Sequence, residues 1–181
     1  MRKILVLVAS VLILIALPAN GHVCGDTQCV SCSKGNPEYR RHGHHYHPKY
    51  FIGKNGVYFG NMPVEGASKS GFKVLSDGYA MDSWNVYYCG RKLEYVAVNS
   101  FKVLGCGYAK DNWNVYYNGT KIDGASAMSF VVLPDRYAKD NWNVYFDGVR
   151  IDGASAGSFK YMGDGYGEDN WNTYYMGRKL E

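Results

Sequence analysis

From residue 50 onward, hydrophobic residues occur in short runs, and each run ends at glycine, asparagine or aspartate. Runs of this length that are rich in tyrosine, valine and phenylalanine are typical of β-strands, and the polar residues between them are typical of turns. Gly or Asn interrupts every stretch of about ten residues, which argues against any helix longer than one turn. In a representative segment the predicted strands are residues 101–104, 108–110, 115–117 and 121–123.

Tight hairpin turns join these runs. Asn118-Gly119 lies between two apolar runs and is the strongest short-range hairpin signal in the chain. Four short strands joined in sequence form a β-meander, and the Gly-Ala-Ser linker that follows is expected to form at most one helical turn. The same turn position elsewhere carries Cys89-Gly90, Asp147-Gly148 and Met176-Gly177.

Alternation along a strand assigns side chains to faces. Val115 and Tyr117 have the same parity, and we expect both to point into a core with Phe130 and Leu133 of the following linker. Trp113 shares that parity and is expected to be buried. Its counterpart in the next unit is therefore predicted to matter for stability, with a cost of about 3 kcal/mol for Trp142→Ala.

A period of 29 residues organises this pattern. Tryptophan recurs at that spacing, and so do a phenylalanine and a tyrosine. The units are 50–78, 79–107, 108–136, 137–165 and a partial 166–181, and Asn55 replaces tryptophan in the first unit. The tryptophans are Trp84, Trp113, Trp142 and Trp171, the phenylalanines are Phe72, Phe101, Phe130 and Phe159, and the tyrosines are Tyr50, Tyr79, Tyr108, Tyr137 and Tyr166.

The period predicts an all-β fold in which the units form an elongated, solenoid-like stack. One unit cannot bury its own rings, whereas stacked neighbours bury each other's. A closed small β-propeller or barrel is the alternative. It is less favoured because 29 residues are short for a propeller blade of about 40.

The segment 108–119 reads Tyr-Ala-Lys-Asp-Asn-Trp-Asn-Val-Tyr-Tyr-Asn-Gly and is followed by Gly-Ala-x-x-x-Ser-Phe. This combination resembles the repeat of the DKNYY family of exported bacterial proteins, and the resemblance covers residues 50–181. The chain departs from the family by placing tryptophan where a polar residue is common. The resemblance implies an exported β-repeat protein and supplies neither an activity nor a catalytic residue.

The N-terminus has the features of a secretory signal peptide over residues 1–21. A basic start precedes an apolar run at 4–17, and small residues lead to cleavage near Gly21/His22. A membrane anchor is the alternative, but a spanning helix needs about 20 apolar residues. We therefore expect a secreted or periplasmic protein with no membrane span in the mature chain, in a compartment that permits disulfides.

Composition narrows the function classes. Lysine and arginine exceed aspartate and glutamate by 20 to 16, and the two signs balance within the repeats. No basic block stands out, so nucleic acid is excluded as a partner. All five histidines precede residue 50, and the repeats contain neither a nucleophile–base pair nor a phosphate-binding loop. We therefore predict that the protein is not an enzyme.

Residues 22–49 form a Cys/His-rich segment that we expect to be flexible. Thiolate and imidazole suit zinc or copper, and a metal-handling protein with the repeats as scaffold is the alternative function. Cys-x4-Cys-x2-Cys is not a standard zinc spacing, and exported cysteines tend to oxidise, so we predict no cofactor and commit to no metal. The weak metal candidates are Cys24, Cys29, Cys32, His42, His44, His45 and His47.

An aspartate recurs ahead of each tryptophan, with an asparagine three residues after it. Repeated oxygen donors suggest calcium, but one carboxylate per turn is too few, and aspartate in this position forms turns by bonding its own backbone. We favour the turn interpretation. The residues are Asp82, Asp111, Asp140 and Asp169 with Asn85, Asn114, Asn143 and Asn172.

A second set of tyrosines lies on the parity opposite the expected core. If exposed, these rings form an aromatic ladder suited to sugar rings or extended peptide, and if buried, they belong to a two-faced core. They are a weak candidate ligand-binding site. The residues are Tyr87, Tyr116, Tyr145 and Tyr174.

Cys89 and Cys106 occupy turn positions where other units have other residues. Both turns are predicted at the same end of neighbouring hairpins, so we predict a Cys89–Cys106 disulfide. The pattern as a whole indicates a non-catalytic binding or structural module at the cell envelope. An envelope glycan or another exported protein is the expected partner.

Overall fold

The computed structural model describes residues 48–181, and within that range the chain is all-β. Nineteen short strands form five antiparallel sheets, one of three strands and four of four strands, and none of the sheets closes into a barrel. A single 3-10 turn at Val98–Ser100 is the only helical element in this part of the chain. The predicted stack of β-meanders is confirmed, and the described residues do not form the alternative closed barrel.

The strands follow one another in chain order. The first sheet contains β1 Tyr50–Ile52, β2 Val57–Phe59 and β3 Met62–Pro63, and the second contains β4 Lys73–Val74, β5 Tyr79–Met81, β6 Val86–Tyr88 and β7 Arg91–Lys92. The third contains β8 Lys102–Gly105, β9 Tyr108–Lys110, β10 Val115–Tyr117 and β11 Thr120–Lys121. The fourth contains β12 Val131–Val132, β13 Tyr137–Lys139, β14 Val144–Phe146 and β15 Val149–Arg150, and the fifth contains β16 Lys160–Gly163, β17 Tyr166–Glu168, β18 Thr173–Tyr175 and β19 Arg178–Lys179.

Each four-stranded sheet crosses a boundary of the sequence units. Strand β8 comes from the end of the unit 79–107, whereas β9, β10 and β11 come from the next unit. The partial unit 166–181 therefore completes a full sheet with β16, which precedes it in the chain.

The hairpin turns have the backbone that their sequence predicts. Asn118 and Gly119 both have positive φ, 47° and 76°, as a type I′ turn requires. Cys106 and Gly107, at 55° and 82°, make a second turn of the same kind between β8 and β9. The third sheet therefore has one tight turn between its first and second strands and another between its third and fourth strands.

The core consists of layers between successive sheets. Val115 and Ile122 of the third sheet pack with Phe130 of the linker against Ala138 and Tyr145 of the fourth sheet. Equivalent clusters lie between the other neighbouring sheets. Val115 and Phe130 are buried as predicted, whereas Tyr117 and Leu133 are partly buried at the margins of the layers. Each interior sheet thus buries both of its faces.

A tyrosine hydroxyl ties each sheet to the next. The Tyr108 hydroxyl donates a hydrogen bond to the Arg136 carbonyl oxygen (3.1 Å) and accepts one from the Gly148 N–H (2.9 Å). Tyr79 and Tyr137 make the same pair of contacts one unit before and one unit after. Because one hydroxyl bridges both turns of the following sheet, it holds the sheets in register as well as in contact.

Candidate functional site

An aspartate organises the turn between the second and third strands of each four-stranded sheet, and it is buried in the second, third and fourth sheets. Asp111 Oδ1 accepts hydrogen bonds from the backbone N–H groups of Trp113 and Asn114, both at 2.7 Å. Its Oδ2 accepts bonds from the Ala97 N–H (2.9 Å) and the Tyr116 hydroxyl (3.0 Å). The turn interpretation is therefore confirmed, and both carboxylate oxygens are occupied by protein donors.

The same four-bond arrangement recurs around each counterpart of Asp111. These residues are Asp82, Asp140 and Asp169. In each case burial raises the carboxyl pKa, but the donated N–H and hydroxyl hydrogen bonds outweigh it and hold the pKa below its ordinary value. The aspartates are thus charged and fully engaged at neutral pH.

The tyrosine ladder is not exposed, so the weak ligand-binding assignment of these rings is corrected. Their exposure is 2% or less, and each ring packs near the phenylalanine of the preceding linker, as Tyr116 does with Phe101 at 6.0 Å between centroids. Stacking covers both faces of a sheet, so the opposite parity is also core. The residues concerned are Tyr87, Tyr116, Tyr145 and Tyr174.

These tyrosines stabilise the turn by hydrogen bonding to its aspartate. The hydroxyl of Tyr145 donates to Asp140 Oδ2 at 3.0 Å, and burial followed by this bond raises the tyrosine pKa from 10.0 to about 12. Burial and the bond to Asp111 raise the pKa of Tyr116 in the same way. Their role is structural. The neutral, buried tyrosine hydroxyl donates a hydrogen bond to the charged carboxylate, and the carboxylate accepts hydrogen bonds from the backbone N–H groups of the turn.

The tryptophans are exposed, which is the opposite of their predicted burial. Trp142 is 77% exposed and its three counterparts are 78 to 81% exposed. The prediction extended strand alternation to a residue that lies outside the strand, because β10 begins at Val115 and Trp113 belongs to the preceding turn. The aspartate accepts a hydrogen bond from the backbone N–H of the tryptophan, and the indole points away from the core.

We call the set of exposed indoles the tryptophan row. One indole projects from each four-stranded sheet, and within residues 48–181 none of them packs against another aromatic ring. The first sheet has Gly53 and Asn55 in place of the aspartate and the tryptophan, so the row begins at the second sheet. The row consists of Trp84, Trp113, Trp142 and Trp171.

Uncharged polar groups flank each indole. The exposed Asn112 precedes Trp113, and its backbone N–H donates to Ser100 Oγ at 3.1 Å. Asn141 and Asn170 make the equivalent bonds to serines in the next two sheets. The sequence signal for this surface was a Trp-Asn pair that recurs every 29 residues after a turn-forming aspartate, preceded by asparagine in three units and by Ser83 in the other.

The two repeat cysteines lie in adjacent turns. Cys89 N–H donates to the Gly78 carbonyl oxygen at 2.9 Å, and Asp77 of that same turn accepts the Gly107 N–H beside Cys106, also at 2.9 Å. Cys89 and Cys106 therefore lie close to the same Asp77-Gly78 turn. Their pairing with each other stays a prediction.

The Cys/His-rich candidates for zinc or copper at 24–47 lie outside the described residues, as does the predicted signal peptide. Between residues 48 and 181, no group of three or more His, Cys, Asp or Glu side chains is arranged to hold a metal ion. The same part of the chain contains no helix long and apolar enough to cross a membrane.

Fold and site together define a class: an all-β repeat protein of stacked four-stranded meanders, each presenting one solvent-facing tryptophan. The model of the DKNYY family matches residues 50–178, and the chain belongs to that family. No curated protein and no solved structure matches the chain.

Proposed function

We propose that the protein is an exported, non-catalytic binding module that acts at the cell envelope through its tryptophan row. The observation that carries the proposal is the exposure of four indoles, 77% or more each, at one position of a structural repeat. Exposed tryptophan carries a hydrophobic cost and is enriched where proteins bind partners. Here the same cost recurs in every complete sheet.

The architecture around the row supports binding rather than catalysis. Each indole stands on a turn fixed by four hydrogen bonds to one aspartate. A rigid turn presents its side chain without first having to be ordered, and this preorganisation reduces the entropic cost of binding. The basic start and the apolar run at 4–17 support export.

Sedimentation with isolated cell-envelope material tests the proposal. The full mature chain is expected to sediment with insoluble envelope, whereas a variant with all four row tryptophans changed to alanine is expected to remain in solution. Circular dichroism establishes that the variant is folded. Val149→Ala is the matched control, because Val149 is 69% exposed and lies by the hairpin at the other end of β14 from Trp142.

A quadruple variant that is folded and sediments as fully as the parent chain would show that the row is not the contact surface. The proposal would then be wrong, whichever envelope component the protein binds.

A further inference from the structure

We infer that the ligand of the tryptophan row is an extended, uncharged β-linked glycan, with successive indoles stacking on every second sugar ring. The inference rests on the proposed function and names the ligand class for the same surface. It follows from the spacing of the indoles, from the polar groups beside them and from the engagement of the one formal charge of each turn in hydrogen bonds with the protein.

Spacing favours a linear repeating ligand. Each indole comes from its own sheet, and sheets packed face to face lie about 10 Å apart, so we expect the indoles to recur at about that interval along the stack. The tyrosine bridges between sheets keep this interval constant. A β-1,4-linked glycan repeats its disaccharide over a comparable distance, so one ligand chain would meet several indoles in the same way.

The surroundings favour sugar hydroxyls. The exposed Asn112 and the partly buried Asn114 flank Trp113, and an asparagine amide has both donors and an acceptor. Sugar hydroxyls also donate and accept, while the apolar face of a sugar ring packs flat on an indole. The Asp111 carboxylate, the one formal charge of residues 111–114, is buried with both oxygens bonded. The turn is therefore complementary to a neutral ligand and offers nothing to a polyanion.

A proline-rich peptide fits less well. Proline has no backbone N–H, so a polyproline helix offers mainly carbonyl acceptors to the asparagines. Such peptides dock into grooves lined by neighbouring aromatic rings. The row indoles contact no other ring in the described part of the chain, and each stands 77 to 81% exposed as a separate platform.

Intrinsic fluorescence gives a direct test, because the four row residues are all the tryptophans of the protein. The full mature chain is titrated with β-1,4-linked N-acetylglucosamine oligomers of increasing length. We expect a change in emission and an affinity that rises with length until the oligomer spans the row, because linked contacts act together. An emission change that is the same for a disaccharide and a long oligomer would overturn the inference.

Single substitutions locate the contact. Trp113→Ala and Trp142→Ala are each expected to weaken binding of the longest oligomer about fivefold. Val149→Ala, which lies away from the row, is expected to bind as the parent chain does. Equal affinity in all three variants would overturn the inference, because the glycan would then bind elsewhere.

The two proposals fail separately. If no oligomer alters the fluorescence but envelope sedimentation still depends on the row tryptophans, the ligand class is wrong and the proposed function stands. A proline-rich peptide that binds with tryptophan dependence would also show that the ligand class is wrong. If the quadruple tryptophan variant sediments with envelope as the parent does, both proposals are wrong.

Discussion

At the scale of single residues, each repeated turn combines a hydrogen-bonded aspartate, a buried tyrosine and an exposed tryptophan. Asp140 is 4% exposed and Tyr145 is 1% exposed, whereas Trp142, held by the same carboxylate, is 77% exposed. The aspartate needs its four donors because a buried carboxylate without them is costly. The outcome is a charged, fully bonded centre with a buried ring on one side and an exposed ring on the other.

The matched pair Trp142→Ala and Tyr145→Ala tests this division. The exposed indole contributes little to packing, so its loss is expected to change the free energy of unfolding by less than about 0.5 kcal/mol. Loss of the buried Tyr145 ring leaves a cavity and removes a donor from Asp140, which is expected to cost about 4 kcal/mol. Urea unfolding followed by circular dichroism measures both. Similar costs for the two variants would contradict the assignment of the tryptophan to the surface.

At the scale of elements, each hairpin serves its own sheet and the preceding one. Gly119 closes the β10–β11 turn with φ of 76°, and a Cβ built on it would lie 2.7 Å from Tyr88 Cβ of the second sheet. Glycine is therefore required there twice, for the turn conformation and for the close approach of the neighbouring sheet. Local sequence pattern reveals the first requirement only.

Alanine substitutions separate these two requirements. Gly124 has nearly the same φ, 75°, but nothing lies within 4 Å of the position that a Cβ would take there, so Gly124→Ala is expected to cost about 1 kcal/mol. Gly119→Ala adds the clash with Tyr88, and its total cost is expected to reach about 3 kcal/mol. The difference between the two free energies of unfolding isolates the contact between sheets. Equal costs would mean that the ring of Tyr88 moves aside without penalty.

The cysteine turns are a second link between elements. Cys89 and Cys106 both lie against the Asp77-Gly78 turn, one through a backbone hydrogen bond and the other beside Gly107. Peptide mapping of the purified protein without reductant is expected to recover them as one cross-linked pair. Closing this loop is expected to stabilise the protein by about 3 kcal/mol, measured as the difference between oxidised and reduced unfolding. Recovery of either cysteine linked to the N-terminal segment would refute the pairing.

At the scale of the whole molecule, the interior sheets are alike and the end sheets differ. Phe51 of the first sheet occupies a position at which the other sheets have a small residue, such as Ala109 in the core layer of the third sheet. The Phe51 ring stacks on the ring of Tyr58 and is 51% exposed. In the last sheet Thr173 replaces the core valine, and it is exposed. A large ring at one end and a hydroxyl at the other suit terminal sheets, because repeat stacks need ends that do not invite further stacking.

Repetition also determines how the whole stack responds to pH. The buried tyrosines have raised pKa values, about 12 for Tyr145, so the stability they contribute is complete below pH 10.0 and is lost as pH rises from there towards 12. The aspartates have lowered pKa values, so their contribution is present above the ordinary carboxyl range and is lost as pH falls through the lowered values.

A pH series of urea unfolding is expected to show a broad plateau near neutrality with a decline on each side. On the alkaline side, tyrosinate absorbance is expected to rise together with loss of the near-ultraviolet circular dichroism signal. Tyrosines that all ionise near their ordinary pKa while the fold persists would contradict the buried placement of these hydroxyls.

The amino-acid pattern alone is enough to predict the strands, the tight turns, the period of 29 and the aspartate turn, because each depends on residues close together in the chain. Which aromatic rings are buried depends instead on how neighbouring sheets pack against each other. Alternation separates the two faces of a strand, but it does not reveal that a neighbouring sheet covers both, and it has no meaning at Trp113, which precedes the strand. The stack therefore buries the tyrosines of both parities, and the turn leaves the tryptophans in solvent.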